Sequence, residues 1–539
     1  MKKKDVLIVG AGPSGLILAN ELLRRGISVR QVDKRVTPSG STRAFTIHSR
    51  TMEMFDHMAV ASRLTELREV CPGNRFHFKG VDFSEDEVPA MDFRRLENTR
   101  FNYYGKINQN DLEQALRDHL LAQHSHEPEW NVECVGINEI KDSVEATLIH
   151  HGDNDRAETA SSSWLIGADG VHSVVRQALG GTFEHKEGYL TTMSMADVAL
   201  HGYKGDDSWV NYYTSDQGFT LLTHLPGDMH RIYLTGEMQR KLEKTNIKEA
   251  YQWALDFYNT GAIIDEVFWS SVWQIHKIIG EVYVKGKVIL CGDATHVHSP
   301  AGGQGMNACL QDGFNLGWKL ATVIRGEASE QILETYEGER RPIAEQVTEG
   351  ANRIHQIVIN HDIPVEKRFE LTQDPDWHDS SIYWVSGLAH TYRGNVYIPE
   401  GVTPLEGPIE PGDRVPDAVL CDKPPKQRLH DILRHPGFTL VYLPAGDVDR
   451  PGYASLEERA KKLYRDRIKC ITIGNSRAIE GLGPEAACVD RLGGMETNFG
   501  VSDIDRVMVI RPDLVVGYQS SLAESEMLFD YLTSWFGPA

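Results

Sequence analysis

The chain has 539 residues, more than one hydrophobic core can organise, since single cores stop growing near about 250 to 300 residues. Its 56 Lys+Arg against 77 Asp+Glu give a formal net charge of -21, which repels phosphate backbones and anionic lipid surfaces and argues against nucleic-acid and membrane partners. With 41% hydrophobic and 25% charged residues and 48 glycines, the composition is that of a globular protein rich in turns, and excludes disorder and fibres.

Seven cysteines lie scattered between Cys71 and Cys488, with no CxxC pair and no His/Cys cluster at zinc spacing. A reducing, cytoplasmic setting and no metal centre are therefore expected. The start, Met1-Lys-Lys-Lys, imitates the basic end of a secretory signal, but the apolar run Val6-Leu-Ile-Val9 is too short for its hydrophobic core and flows into a glycine turn. No stretch of about 18 apolar residues occurs elsewhere.

The first 33 residues read strand, glycine turn, helix, strand: Asp5 to Val9, a helix from about Pro13 to Arg25, and Ser28 to Asp33. Between residues 190 and 240, the alternating segments beginning at Trp209, Phe219 and Arg231 predict an antiparallel sheet. A second strand-to-helix signal starts at Val288, with a glycine-rich loop and a helix from about Asn307 to Ile324, capped by Arg325-Gly326. A long helical pattern follows from Gln331 to Ile359. Residues 372–416, rich in Pro, Gly and aromatics, mark a domain boundary. Beyond it, the strands at Phe438, Ile468 and Arg506 alternate with helical stretches near 455–465 and 521–535, which predicts a small α/β domain.

The first chemical motif is Gly10-x-Gly12-x-x-Gly15 between strand and helix, with Asp33 ending the next strand about 20 residues on. One glycine allows the tight turn, one lets backbone approach a pyrophosphate, and one lets helix and strand pack. The helix N-terminus adds roughly half a positive charge. Asp33 is placed to accept hydrogen bonds from an adenosine ribose. The pattern predicts an ADP-containing ligand without separating NAD from FAD.

The segment Gly286-Lys-Val-Ile-Leu-Cys-Gly-Asp293, continuing through Pro300-Ala-Gly-Gly-Gln-Gly-Met-Asn307 to Lys319, resembles the flavin-binding motif of the FAD-dependent aromatic hydroxylases, the single-component class that includes the p-hydroxybenzoate and phenol hydroxylases. In physical terms, Asp293 can hold a ribityl hydroxyl. The loop through Pro300, Gly303, Gly305, Met306 and Asn307 presents bare backbone N–H groups to the flavin edge where charge collects on reduction. Gly167-Ala-Asp169-Gly170 resembles the family's Asp-Gly motif, which implies a part in holding FAD and NAD(P)H. The segment from Ser41 through Arg43 and His48 to Phe55 resembles the stretch after the second strand in these enzymes, implying that Arg43 contacts the flavin region. Gln109 matches a family glutamine near the cofactor.

The resemblance implies an α/β fold: a Rossmann-type FAD domain (residues 1–75, 100–185 and 281–360), an interleaved antiparallel-sheet substrate domain (76–99 and 186–280), a helical linker (361–400) and a thioredoxin-like α/β domain (401–539) lacking CxxC. It implies a monooxygenase that uses NAD(P)H and O2 to hydroxylate an electron-rich aromatic through a flavin C4a-hydroperoxide, the cofactor performing the difficult step. No second GxGxxG is present, so NAD(P)H is expected to dock transiently. The substrate is expected to be phenolic or polyketide-like, with small phenols or heteroaromatic acids behind these, and a homodimer is carried as an expectation of the fold. Family phenol hydroxylases have an acid before the helix containing Met52 to Phe55, but residues between Arg43 and Thr51 include no Asp or Glu. His48 is the nearest titratable group and the candidate base. Pro300 completes the catalytic set with Arg43 and His48, while Tyr212, Tyr213 and His224 are candidates for the substrate chamber. Two rivals stay open. One is a halogenase, although Lys79 has none of that family's surroundings and no Gly-Trp-x-Trp-x-Ile-Pro segment occurs; the other is a noncatalytic flavoprotein.

Overall fold

The computed structural model describes residues 4–38, 44–82, 88–185, 192–275, 278–360, 362–402, 405, 407–421, 426–445, 450–475, 487–500 and 504–537. Arg43, expected at the flavin, lies outside them.

The apolar first strand, Lys4–Val9, is buried at the centre of an eight-stranded sheet among the described residues. It pairs in parallel with Val29–Asp33 on one side and Arg156–Gly167 on the other, and the latter pairs in parallel with Val288–Leu290. Parallel strands need crossover helices. The first crossover is Pro13–Leu23, whose proline sits in the first turn, where no N–H is missed. This arrangement brings the ends of three strands, at Val9, Gly167 and Leu290, to one edge of the sheet, where ligands of open α/β sheets bind.

A seven-stranded sheet forms the second layer, in the order Ile263–Gln274, Thr192–His201, Met229–Leu234, Gly218–Leu225, Val210–Ser215, Gly73–Phe78, Ala90–Asp92. The antiparallel meander expected around residues 190–240 is its middle. The strand Gly73–Phe78 joins it in parallel, beginning before the expected boundary at residue 76. One face of this sheet carries Met193, Met195, Tyr212, Phe219, Leu221 and Tyr233 into a common apolar cluster.

Residues 361–400 are more than a connector. Helices Val365–Leu371 and Pro375–Val385 pack Val365, Ile382 and Val385 into that same cluster, with Leu388 behind them. The C-terminal unit has a five-stranded sheet in the order Ala487–Val489, Ile468–Gly474, Phe438–Leu443, Arg506–Ile510, Val516–Ser521, parallel on one side and antiparallel on the other. It docks through Phe438 and Trp535 on Trp318, at ring separations of 5.5 and 5.2 Å. No helix among the described residues is long and apolar enough to cross a membrane.

Candidate active site

The strand ends open into a cavity of about 790 Å3. Its first wall is the glycine turn. A Cβ on Gly10 would stand 2.1 Å from Ala168 O and one on Gly15 2.1 Å from Gly10 O, so these two glycines permit close packing. Gly12 differs: a Cβ there would meet nothing within 4 Å, because it faces the cavity. The N-terminus of Pro13–Leu23 also faces this space, with the free N–H groups of a first helical turn. Asp33 accepts a hydrogen bond from Ala11 N at 2.7 Å and pairs with Arg35 at 2.9 Å. Burial alone would raise the Asp33 pKa, but Arg35 and the backbone donors hold it below the ordinary carboxylate value. Gln109 lines the same wall and donates to Glu113 at 2.8 Å.

The second wall is Asp169-Gly170. Asp169 Oδ2 accepts from Val174 N (2.8 Å) and Val175 N (3.3 Å), while Oδ1 is buried without a hydrogen bond. Burial raises the pKa of this carboxyl. The third wall starts at Asp293, which is exposed to the cavity and accepts a hydrogen bond from the Cys309 thiol at 3.1 Å. The loop from Pro300 then turns through Gly302 (φ 81°) and Gly303 (φ 65°), conformations that favour glycine. Asn307 stitches this loop to the segment before residue 49: it accepts from His48 N (2.9 Å) and donates to Thr46 O (3.1 Å) and Gly303 O (3.0 Å). Gly305 and Met306 face the cavity at the start of the helix Gln304–Ile324.

These features fit FAD. Gly12 leaves bare backbone for a pyrophosphate, an orphaned Asp169 oxygen awaits a partner, and the loop ends in a helix N-terminus. A family model described as an FAD binding domain matches residues 3–351, and one described as the C-terminal part of the aromatic-ring hydroxylases matches residues 409–539. The chain belongs to the FAD-dependent aromatic-ring hydroxylases. It is 36% identical over 532 residues to pentachlorophenol 4-monooxygenase of Sphingobium chlorophenolicum, covering 97% of this chain and 95% of the relative. A flavin-dependent monooxygenase of Mycobacteroides abscessus is 32% identical, covering 81% of this chain and 88% of the relative. Among solved structures, an aromatic hydroxylase from angucycline biosynthesis superposes with a TM-score of 0.75 at 26% identity, covering 100% of both chains. The hydroxylase is thus an FAD-dependent monooxygenase, with the Rossmann-type and C-terminal α/β architecture expected for it.

Behind Pro300 lies a second, apolar chamber of about 30 Å3. Phe45, Tyr233, Pro300 and Gly303 line both spaces. Tyr104, Tyr212, Phe219 and Leu221 line the chamber alone. Tyr212 lines the chamber. Tyr213 does not: successive strand residues face opposite ways, and its hydroxyl bonds Tyr203 (2.7 Å) while its ring stacks on His77 (4.5 Å). His224 also lines neither space and bonds Glu69 at 2.7 Å.

His48 lines neither space. Its Nε2 lies 3.1 Å from both Gly302 O and Gly303 O, which requires an N–H donated to the loop, while Nδ1 has no hydrogen bond. Burial lowers its pKa to about 4. The imidazole is a neutral anchor of the flavin loop in this geometry, which corrects its expected use as a base. His296 and His298 are engaged separately, His296 by Asp312 (2.7 Å) and His298 by Ser299 O (2.8 Å). Phe45, Tyr104 and Tyr233 escaped the sequence reading. For Tyr104 the only available signal was an aromatic pair, Tyr103-Tyr104, shortly before Gln109.

Proposed function

We propose that the chain hydroxylates a single-ring phenol, with NAD(P)H as reductant and dioxygen as the source of the inserted oxygen. The observation that carries this reading is the adjacency of the two spaces: Phe45, Tyr233, Pro300 and Gly303 line both. FAD, when bound, supplies hydride acceptance and oxygen activation. The chain supplies everything else. Gly12 and the Pro13–Leu23 N-terminus would take the pyrophosphate, Asp33 the ribose, Asp293 the ribityl chain, and the Gly303 to Asn307 loop the ring edge. Asp169-Gly170 and Gln109 line the same cavity and are assigned to cofactor positioning, and Arg43 keeps its family role as a contact of the flavin region.

The chamber is lined by apolar and tyrosine side chains, a setting that limits the access of water to reactive intermediates. Its narrowness supports one ring. The relative acting on pentachlorophenol points the same way. The test is consumption of NADH and NADPH by the FAD-loaded protein with and without a panel of phenols, aromatic acids and polycyclic phenols. Stimulation by single-ring phenols with product heavier by one oxygen is expected; stimulation confined to polycycles or to carboxylated aromatics would overturn the substrate assignment.

A further inference from the structure

Accepting a hydride gives a flavin ring two electrons and one proton, and so leaves a net negative charge on the edge that the Gly303 to Asn307 loop would take. A charge in a cavity of low dielectric is costly unless a donor or a cation compensates it. The N-terminus of Gln304–Ile324 brings partial positive charge to that edge. Full cations are placed elsewhere: among the described lining residues, Lys34 and Arg35 directly follow Asp33 on the first wall.

An imidazole stands beside the helix start. His298 lines the cavity, and its Cε1 and Nε2 each lie 3.9 Å from where a Cβ on Gly305 would be. Its Nδ1 is 2.8 Å from Ser299 O; a carbonyl only accepts, so Nδ1 carries the proton and Nε2 is left bare. Nε2 is buried and makes no hydrogen bond. Among the described residues, the titratable and charged groups around this imidazole are Asp293 and His296 on its own segment, Cys309 and Asp312 on Gln304–Ile324, and Arg340 and His355 on Glu334–Val358. They are engaged with one another or with the loop. His296 and Arg340 each bond Asp312 at 2.7 Å, Cys309 donates to Asp293 at 3.1 Å, and His355 lies 3.4 Å from the Ser299 hydroxyl. Burial, and then the neighbouring His296, lower the His298 pKa to about 4, against weaker opposing pulls from Ser299 O and Asp293. Beside an uncharged ring His298 is therefore neutral at working pH.

We infer that His298 is a redox-linked proton site: neutral against the oxidised ring, it takes a proton from solvent at Nε2 when the ring becomes an anion, and that nitrogen then donates toward the charged edge. The balance closes. Hydride from NAD(P)H brings two electrons and one proton to the ring, the nicotinamide leaves as a cation, and a second proton goes from water to His298 instead of to the ring. Magnitudes support this order of events. An opposite charge within about 4 to 6 Å raises an imidazole's pKa by about 1 to 3 units, which carries His298 from an acid value toward neutrality. His48 lines neither space and is not placed for this part.

The inference rests on placing the ring edge at the Gly303 to Asn307 loop, and not on which substrate is hydroxylated. FAD-loaded wild type and His298→Asn, whose amide keeps a donor for Ser299 O but does not titrate, are equilibrated anaerobically with redox dyes from pH 5 to 8.5. The midpoint potential and the spectrum of the reduced ring are read together. Wild type is expected to take up two protons per two electrons at the acid end and one at the alkaline end, with the reduced ring anionic throughout. His298→Asn is expected to take up one proton at every pH. Its preference for reduced over oxidised FAD is then about tenfold below that of wild type at pH 5 and equal to it at pH 8.5. His298→Gln takes its place if the Asn variant sheds FAD. One proton in wild type across the range, or equal pH slopes in the two proteins with an anionic ring, would overturn the inference while leaving the ring-edge assignment in place. A neutral reduced ring would contradict that assignment, and the inference with it.

Discussion

Arg511, just past the strand Arg506–Ile510, donates two hydrogen bonds to Glu339 of the long helix Glu334–Val358, at 2.7 and 2.8 Å, with both side chains buried. Lys319 of the loop helix shares that carboxylate at 2.7 Å, and Asp513 closes the other side of Arg511 at 2.6 Å. A second pair, Arg414 to Glu53 at 2.6 Å, repeats the arrangement near the segment that carries His48. The C-terminal unit is thus tied, through Glu339 to Lys319 and through Asp513 to Asn315, to the helix Gln304–Ile324, whose N-terminus faces the cavity.

Breaking a buried pair leaves a charge without compensation. Arg511→Ala is expected to cost about 3 to 5 kcal/mol in chemical denaturation, with loss of FAD retention accompanying it. Burial would raise the Glu339 pKa, but Arg511 and Lys319 draw it down to about 2. Its folded value is depressed, so its contribution is present above the unfolded value near 4.5 and lost as pH falls from there toward 2. A denaturation series from pH 6 to pH 3 checks this, and Glu339→Gln is expected to flatten that part of the profile.

The three glycines of the first turn separate folding from ligand binding. Gly12→Ala is expected to leave the melting temperature of the FAD-free protein unchanged and to weaken FAD binding at least about tenfold, since its Cβ would protrude only into the cavity. Gly10→Ala, with a Cβ 2.1 Å from Ala168 O and φ at 110°, is expected to destabilise the fold itself. Thermal melts and flavin fluorescence titrations on the two variants give opposite signatures if the assignment holds.

Asp293→Ala is expected to shed FAD on gel filtration, while Asp169→Asn keeps its backbone hydrogen bonds to Val174 and Val175 and retains the cofactor more tightly than Asp293→Ala does. Flavin-to-protein absorbance ratios after desalting compare the two.

His48→Gln tests the anchor against the base. Its folded pKa, about 4, lies below the ordinary 6.5, so the unfolded chain binds the extra proton between these values and stability is lost as pH falls through that window. The shift corresponds to about 3 kcal/mol at one pKa unit per 1.36 kcal/mol. His48→Gln is expected to reduce this acid sensitivity and weaken FAD binding, while leaving the pH profile of hydroxylation above pH 6 in place. A neutral-pH inflection in wild type that vanishes in the variant would restore His48 as the base.

Much of the cofactor frame could be read from sequence because its parts are local. The Gly10 to Asp33 unit is one βαβ crossover, and the loop from Asp293 to Asn307 is one strand-to-helix connection. What escaped depends on contacts far apart in the chain. His48 meets Gly302 and Gly303, and Tyr104 meets Gly303, through a three-stranded sheet of short strands that carries no periodic signal. Tyr212 and Tyr213 are both strand residues; only the register of Val210–Ser215 in its sheet decides which one faces the chamber. The segment 361–400 reads as a connector through its prolines and glycines, yet Ile382 and Val385 close the apolar cluster beside the chamber.

Insertion of one atom of dioxygen into a single-ring phenol is checked by turnover under 18O2 with NAD(P)H and a phenol. One 18O per hydroxylated product and tight coupling of product to reductant consumed are expected. Oxygen derived from water, or reductant consumption yielding only hydrogen peroxide with every phenol tried, would contradict it.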